Sequence, residues 1–421
     1  MSDTNNNNSS NTAKIISGII LGLILFCGLY VVGIYLDLYG KTRDAGVIQA
    51  GGLAPEIISQ RVDTQQAAIG QMDENNEAQI LFGDLHVHST FSTDAFLWSM
   101  PLYGGEGVYP IADACDYARY CSGIDFWAIT DHAEATTKKR WSQTKQSLRD
   151  CNARAGDPSN PDMISYLGFE WSQVGATPET HYGHKNVIFE GLEDKELAMR
   201  PIASGGLATE VLRNQSSNMM PRSTVFLDFE NRQVYYDIRK YLAEIGEAPS
   251  CDPTLPSNEL PEDCFEIAET PADLVKRLGQ QNLDPLIIPH GSSWGFYTPF
   301  LTTWDKQLKT AMYPDKFKLI EIMSGHGNSE EYRDYKNAIP GEDGMLACPE
   351  PTENFTPLCH RAGEILMERC LVSGETQDVC EDRAEYARFA AVNMITAGHL
   401  SIGASEPSDW LDTGQCIDCF R

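Results

Sequence analysis

The stretch AQILFGDLHVH, residues 78–88, decides how the chain is read. Its first half is apolar and β-prone, and it ends on His86 and His88, two residues apart. On an extended strand, residues i and i+2 share a face, so both imidazoles point the same way and can grip one cation of the zinc, manganese or iron kind. Working outward, the same rhythm recurs in GIDFWAITDH (123–132), MISYLGFEW (163–171), HYGHKNVIF (181–189), DPLIIPHG (284–291), FKLIEIMSGHG (317–327) and LSIGASE (400–406). Several of these runs are continuously apolar, as strands buried on both faces should be. Helical patterns lie between them; the clearest begins with Thr270 as a cap and Pro271 at the first helical position, and leads into the run at 284. Helix followed by strand, repeated, predicts a parallel α/β architecture, and seven strand candidates favour a barrel over a small open sheet.

Most of the runs end in a side chain able to bind metal: Asp131 and His132 after the second, Glu170 in the third, His290 in the fifth, His326 in the sixth, with His184 inside the fourth. Seven of the nine histidines, these with His86, His88 and His181, lie in or just after such a run. In an α/β barrel the carboxyl ends of the parallel strands converge on one face, so residues spread from 86 to 326 would meet at one site. Carboxylates at Asp94 and Glu170 suit bridging two cations, which then share a hydroxide and hold a leaving oxygen. Asp131, beside His132, reads as an outer carboxylate that orients an imidazole. His181 is an alternative to His184, and Asp94 has an alternative reading as a turn residue. His326 suits three roles: metal contact, general acid for the leaving group, or turn cap. His360 and His399 read as structural, and Phe91, Phe96, Trp98 and Trp171 as pocket wall and core.

The ordered series Asp84-Leu-His86-Val-His88-Ser89 with Ser92 and Asp94, Ile129-Thr-Asp131-His132, Gly168-Phe-Glu170 and Ile288-Pro-His290-Gly resembles the successive motifs of the PHP (polymerase and histidinol phosphatase) superfamily of metal-dependent phosphoesterases. Gly183-His184-Lys-Asn-Val-Ile188 and Glu321-Ile-Met-Ser-Gly-His326 resemble the group catalogued as domain of unknown function 3604. The resemblance spans roughly residues 78 to 410. It implies a distorted seven-stranded β/α barrel of TIM-like, PHP type. It also implies two or three divalent metal ions (zinc, manganese or iron), with His86, His88, Asp94, His132, Glu170, His184 and His290 as ligands. Members of the family close the site with Asp-x-His; here Glu406 and Ser408-Asp409 stand in that place. Either Glu406 and Asp409 replace the missing pair, or the closing strand lies beyond residue 421.

Composition bounds the rest. Thirty-two Lys and Arg against 60 Asp and Glu give a net charge of −28, which repels phosphate backbones and argues against a nucleic-acid binder. Residues 1–14 form a polar tail, and residues 15–36 hold no charge over a length that crosses a hydrocarbon core. We read this run as a transmembrane helix, the competing reading being a cleaved signal peptide. Residues 37–77, broken by Gly51, Gly52 and Pro55, read as a stalk, and 78–421 as the hydrolase domain, with an insertion at about 191–265. Eleven of the twelve cysteines lie outside the span, a number suited to an oxidising compartment, with Cys115/Cys121, Cys348/Cys359, Cys370/Cys380 and Cys416/Cys419 at spacings that suit local disulfides. Half a zinc ribbon or a redox motif is the rival reading of Cys416 and Cys419.

The expectation is therefore a single-pass membrane protein whose domain lies outside the cytoplasm, periplasmic or extracellular. It would act as a metal-dependent phosphoesterase on a small phosphorylated substrate through a metal-bridging hydroxide, with His326 or Asp131 assisting proton transfer. The alternatives are a catalytically inactive metal- or ligand-binding module, or a metallohydrolase of another bond, such as a glycosidic or amide bond.

Overall fold

The computed structural model describes residues 5–72, 80–291, 318–324 and 345–393, with short stretches at 294–295, 299, 327–328 and 338–341; within these ranges 106, 108, 159, 178, 215–219 and 354 are not described. The chain divides into two compact units, Met1–Arg43 with Gln215–Glu247, and Asp44–Asn214 with Ala248–Arg421.

Among the described residues, the strands longer than two residues are β1 (Gly83–Val87), β2 (Phe126–Ile129), β3 (Ile164–Gln173), β4 (Gly183–Ile188), β5 (Ile202–Ser204), β6 (Glu266–Ala268) and β7 (Leu286–His290). The helices are α1 (Asn5–Tyr35), α2 (Pro55–Met72), α3 (Thr93–Trp98), α4 (Ile111–Tyr117), α5 (Lys138–Asn152), α6 (Leu207–Asn214), α7 (Thr224–Leu227), α8 (Arg232–Glu247), α9 (Pro271–Gln280), α10 (Leu358–Val372) and α11 (Gln377–Asn393).

The larger unit is built on a curled five-stranded sheet in the order β1-β2-β3-β4-β7, half of a barrel. Strands β1, β2 and β3 pair in parallel, as the apolar runs predict. β4 departs from the expected parallel arrangement, being antiparallel to both β3 and β7. The reason lies in the connection: only residues 174–182 join β3 to β4, too few for the crossover helix that parallel neighbours need. Of the two remaining strand candidates, the run at 317–327 contributes, among its described residues, the short strand Met323–Ser324 and the first residue of Gly327–Asn328 to a separate small sheet, and LSIGASE lies outside the described residues.

Alternation along the strands sorts side chains to the two faces. Trp127 and Ile129, Leu167, Phe169 and Trp171, Val187 and Ile287 enter the main core, together with Trp141 and Leu148 of α5 and Leu274 and Leu278 of α9. Ala128, Ile188 and Ile288, with Leu85, Tyr166 and Leu286, form a smaller cluster on the other face. Thr270 caps α9 as its sequence predicts, its hydroxyl accepting from Asp273 N at 3.2 Å, and the helix delivers the chain to β7.

The stretch 44–72, part of the segment read as a stalk, is fastened to this unit. Ile48 is in the main core, Gln49 N donates to Asp116 at 3.0 Å and Leu53 N to Asp162 at 2.9 Å. Arg61 of the 18-residue α2 pairs with Asp125 at 3.3 Å. Gly52 lets the backbone come close, for a Cβ there would sit 2.6 Å from Arg154 O.

In the other unit, Asp37 follows α1 and receives Arg239 Nε at 2.8 Å and Arg222 Nη2 at 2.6 Å. The hydrogen bond from Arg239 is the chief reason its carboxyl lies below the usual range. Asp237 of α8 accepts from Lys41 N at 2.7 Å and Arg43 Nε at 3.3 Å, and Tyr30 and Tyr236 share a hydroxyl hydrogen bond of 2.8 Å. Lys14–Tyr35 of α1 is long and apolar enough to cross a membrane, with a mean hydropathy of 2.7. Residues 215–247 of the expected insertion belong to this unit, whereas β5, which pairs in parallel with β6, and α6 belong to the larger one.

Among the described residues, four disulfides join Cys115 to Cys151, Cys251 to Cys264, Cys348 to Cys359 and Cys370 to Cys380. The last two follow the expected spacings. Cys115 does not pair with Cys121: it reaches from α4 to Cys151 of α5, and Cys121 is an exposed thiol. The α4–α5 packing brings the more distant partner to a Cα separation of 6.3 Å, inside the range a disulfide spans. Cys416 and Cys419 lie outside the described residues.

Candidate metal centre

The register of the sheet builds the site. Ser172 of β3, His184 of β4 and His290 of β7 are directly opposite one another, and Glu170 lies two residues from Ser172 on the same face. Because β4 runs the other way, its beginning reaches the end where β3 and β7 finish, so His184, second in its strand, meets two strand-end residues. Gly183, at φ +64°, turns the chain into β4 just before it. Lys185, the next residue, falls on the opposite face, its ammonium 5.1 Å from the Trp171 ring centroid and donating to Tyr182 O at 2.8 Å. Burial pushes that ammonium down to about 7. On β1 one extra residue opposes β2 between Asp84 and Val87, a bulge that re-aims His86. His86 and His88 still converge, their Nε2 atoms 2.9 Å apart.

Glu170, fully buried, is the centre of the arrangement. Its Oε2 lies 3.3 Å from His86 Nε2, 3.0 Å from His88 Nε2 and 3.5 Å from His132 Nε2. Its Oε1 lies 2.7 Å from His184 Nδ1 and 3.0 Å from His290 Nε2. Asp94, at the start of α3, stands 3.5 Å from His88 Nδ1 and 3.3 Å from His132 Nε2. All seven ligands expected from the sequence are thus brought together. Among the described residues, four overlapping groups could hold a metal ion: His86, His88 and Glu170; His88, Asp94 and His132; Glu170, His184 and His290; and His86, His290 and Glu321.

The donor set fits such ions. Ligand atoms at ~2.0–2.1 Å from a tetrahedral cation stand about 3.3 Å apart, and the His86, His88 and Glu170 triangle has edges of 2.9, 3.0 and 3.3 Å. At His86, His88 and His132 the nitrogen that faces away from Glu170 has its own partner, as ligating imidazoles require. His86 Nδ1 meets Glu321 Oε2 at 2.9 Å, His88 Nδ1 meets Ser92 Oγ at 2.8 Å, and His132 Nδ1 meets Ser172 Oγ at 2.9 Å. Ser172 Oγ also lies 2.9 Å from His184 Nδ1 and 3.2 Å from Glu170 Oε1, so one hydroxyl ties three members together.

Without a metal, protons take the place of cations. Burial opposes charge on His86, but hydrogen bonds to Glu170 and Glu321 outweigh it and raise the imidazole to about 10. His132 is likewise buried, yet Glu170 and Asp94 hold it well above the usual range. At His290 burial wins over the attraction of Glu170, and the ring falls to about 4.

Asp131 has a different place from the one its sequence position suggests. Its carboxylate is engaged by Ser89, the backbone N at 2.6 Å and the hydroxyl at 2.7 Å, so it fixes the turn after His88 and orients no imidazole. Burial pushes its carboxyl up. The outer carboxylate at His132 is Glu134, 3.6 Å from Nδ1, whose Oε1 also accepts from Ser172 N at 3.0 Å and Ser204 N at 2.8 Å. Sequence reading did not assign Glu134 or Glu321 to the site, although Glu134 lies just past one apolar run already singled out and Glu321 lies within another. His181 is buried but in none of the four groups, and His360 lies beside Glu350 and Glu364, away from them. His326, His399, Glu406 and Asp409 lie outside the described residues.

Residues 75–154 match the family model described as Protein of unknown function (DUF3604). The matched stretch carries His86, His88, Asp94 and His132 and ends before Glu170. No curated protein and no solved structure matches the chain.

Proposed function

We propose that this chain is a membrane-anchored, metal-dependent phosphoesterase of the PHP superfamily type, acting on a small phosphorylated substrate outside the cytoplasm. The observation that carries the reading is the packing of five imidazoles and the carboxylates of Glu170, Asp94 and Glu321 into four overlapping donor groups. In this reading the five-stranded sheet is the greater part of a distorted seven-stranded barrel. The four disulfides support an oxidising compartment, and the apolar α1 supports anchorage by a single span.

His86, His88, Asp94, His132, Glu170, His184 and His290 would hold two or three divalent ions, zinc, manganese or iron. Bound there, such ions supply Lewis acidity, lowering the pKa of water and neutralising charge that develops on phosphoryl oxygens. The chain's own part is to keep the donors in place. Glu170 offers one carboxylate oxygen to each side of the cluster, Ser172 and Glu321 set which ring nitrogens point inward, and the apolar residues on the same face of the sheet exclude water from beneath it. His326, just past Glu321, is assigned the proton donated to the leaving group, and Asp131 the fixing of the turn that carries His88.

The test is metal content by elemental analysis of the detergent-solubilised full chain, together with hydrolysis of p-nitrophenyl phosphate and its bis ester, for the wild type and for His86→Ala and His290→Ala. Two or more ions per chain, with turnover lost in both variants, is the expected result. Bound metal without turnover of either ester would defeat the phosphoesterase assignment, and absence of metal would defeat the metalloenzyme reading altogether.

A further inference from the structure

The unit formed by Met1–Arg43 and Gln215–Glu247 carries apolar side chains that its own packing does not use. Thr224 and Val225 of α7 are buried, whereas Phe226, Leu227 and Phe229 are 50%, 82% and 52% exposed. Their position relative to α1 is fixed within the unit. The Phe229 ring centroid is 6.4 Å from that of Tyr30, and Tyr30 in turn bonds Tyr236 of α8 and stacks near Tyr39 at 5.3 Å. The ion pairs from Asp37 to Arg222 and Arg239 bracket the same joint.

Tyr30 lies inside the apolar span Lys14–Tyr35, five residues from its end. That is about 8 Å along a helix rising 1.5 Å per residue. The headgroup layer on each side of a hydrocarbon core is ~5–8 Å deep, and apolar faces of surface-bound elements enter it by ~5–10 Å. A side chain in contact with Tyr30 therefore sits at the edge of the hydrocarbon, where aromatic rings are favoured. Arg232 supports this placement. Its guanidinium lies 4.3 Å from the Phe229 ring centroid and donates to Phe229 O at 2.8 Å, holding a charged head beside an apolar one as residues at a membrane surface do. The acidic groups nearby are turned to other work or to water: Asp228 accepts from Tyr235 and from Asn231 at 3.1 Å, and Glu230 is exposed.

We propose that α7 and the turn through Phe229 form a second contact with the lipid bilayer, an interfacial foot that inserts Phe226, Leu227 and Phe229 beside the end of α1. The occupant of this apolar face is lipid, at the boundary between headgroups and acyl chains. The proposal rests on the membrane-anchor reading above.

The experiment is nitroxide accessibility in the full chain reconstituted into phosphatidylcholine–phosphatidylglycerol nanodiscs. Single labels are placed by Leu227→Cys, Leu23→Cys and Glu247→Cys, in a background of Cys27→Ala, Cys121→Ser, Cys416→Ser and Cys419→Ser. Collision rates with oxygen, which concentrates in lipid, are compared with those of a water-soluble nickel chelate. The expected result is oxygen contact dominating at Leu23→Cys and, to a lesser degree, at Leu227→Cys, with nickel contact dominating at Glu247→Cys. Nickel contact at Leu227→Cys equal to that at Glu247→Cys, with Leu23→Cys still in lipid, overturns the foot and leaves the anchor standing. Low collision with both reagents at Leu227→Cys means protein covers the face and also overturns it. Water contact at Leu23→Cys overturns the anchor itself.

Discussion

Glu170→Gln separates the two tasks of the buried carboxylate. The substitution keeps shape and volume but replaces one acceptor oxygen with an amide NH2. Whichever way the amide turns, one side of the cluster loses its acceptor: His184 at 2.7 Å and His290 at 3.0 Å, or His86 at 3.3 Å and His88 at 3.0 Å. Breaking a fully buried charge pair by removing one partner costs ~3–5 kcal/mol. At 1.36 kcal/mol per tenfold, the expected loss of metal affinity is roughly two to four orders of magnitude. The metal-free fold should suffer much less at pH 8, because an imidazole, unlike a guanidinium, can shed its proton when its counter-charge is gone. The assay is competition with a chromophoric chelator for zinc or manganese, beside urea unfolding of the chelator-stripped protein. A variant that binds metal within roughly threefold of the wild type, a difference under about 1 kcal/mol, would refute the central role given to Glu170.

Other outcomes follow from the same geometry. In metal-free protein, the contribution of His86, raised to about 10, is whole below its ordinary pKa and lost as pH climbs towards 10, while His290, lowered to about 4, adds a penalty that grows as pH falls from its ordinary pKa towards 4. Thermal melts in chelator should therefore decline on both sides of a maximum, and His86→Phe should flatten the alkaline limb. Metal affinity should instead rise with pH, since the imidazoles bind only when deprotonated. Glu321→Gln leaves His86 Nδ1 a weaker partner, and a 10–100-fold loss of metal affinity is expected by chelator competition; an unchanged value would remove Glu321 from the site. Peptide mapping without reductant should recover Cys115 linked to Cys151 and alkylated Cys121. Cys115→Ala with Cys151→Ala should lower urea stability by about 4 kcal/mol for the 36-residue loop.

The sequence made the centre legible because its ligands sit at the ends of apolar runs, and apolar runs identify strands. His86, His88, His132, Glu170 and His290 could be placed in this way. His184 could be placed only by likeness to a motif, since it begins its strand, and only the antiparallel direction of β4 explains how it reaches the others. That direction was available in principle from the short stretch 174–182. Glu134 and Glu321 stayed hidden because a carboxylate near a run looks the same whether it holds a ring nitrogen or faces water, and Asp131 was misjudged for the same reason. Although Asp131 is next to His132 in sequence, its carboxylate is held by Ser89. Cys115 failed differently: spacing favours a near partner, while the packing of α4 on α5 brings Cys151 to a Cα separation of 6.3 Å.

The clasp between the two ends of the smaller unit also has a meaning in time. Asp37 and Arg239 are 202 residues apart, so Asp37 leaves the ribosome long before its partner exists. At about 5–20 residues per second, the interval is roughly 10–40 s. Through that interval the carboxylate just past α1 stays hydrated and waiting. Maturation of the clasp therefore reports that synthesis has passed residue 239, and the stretch up to Asn214, with six of the seven proposed metal ligands, has emerged before the clasp can close.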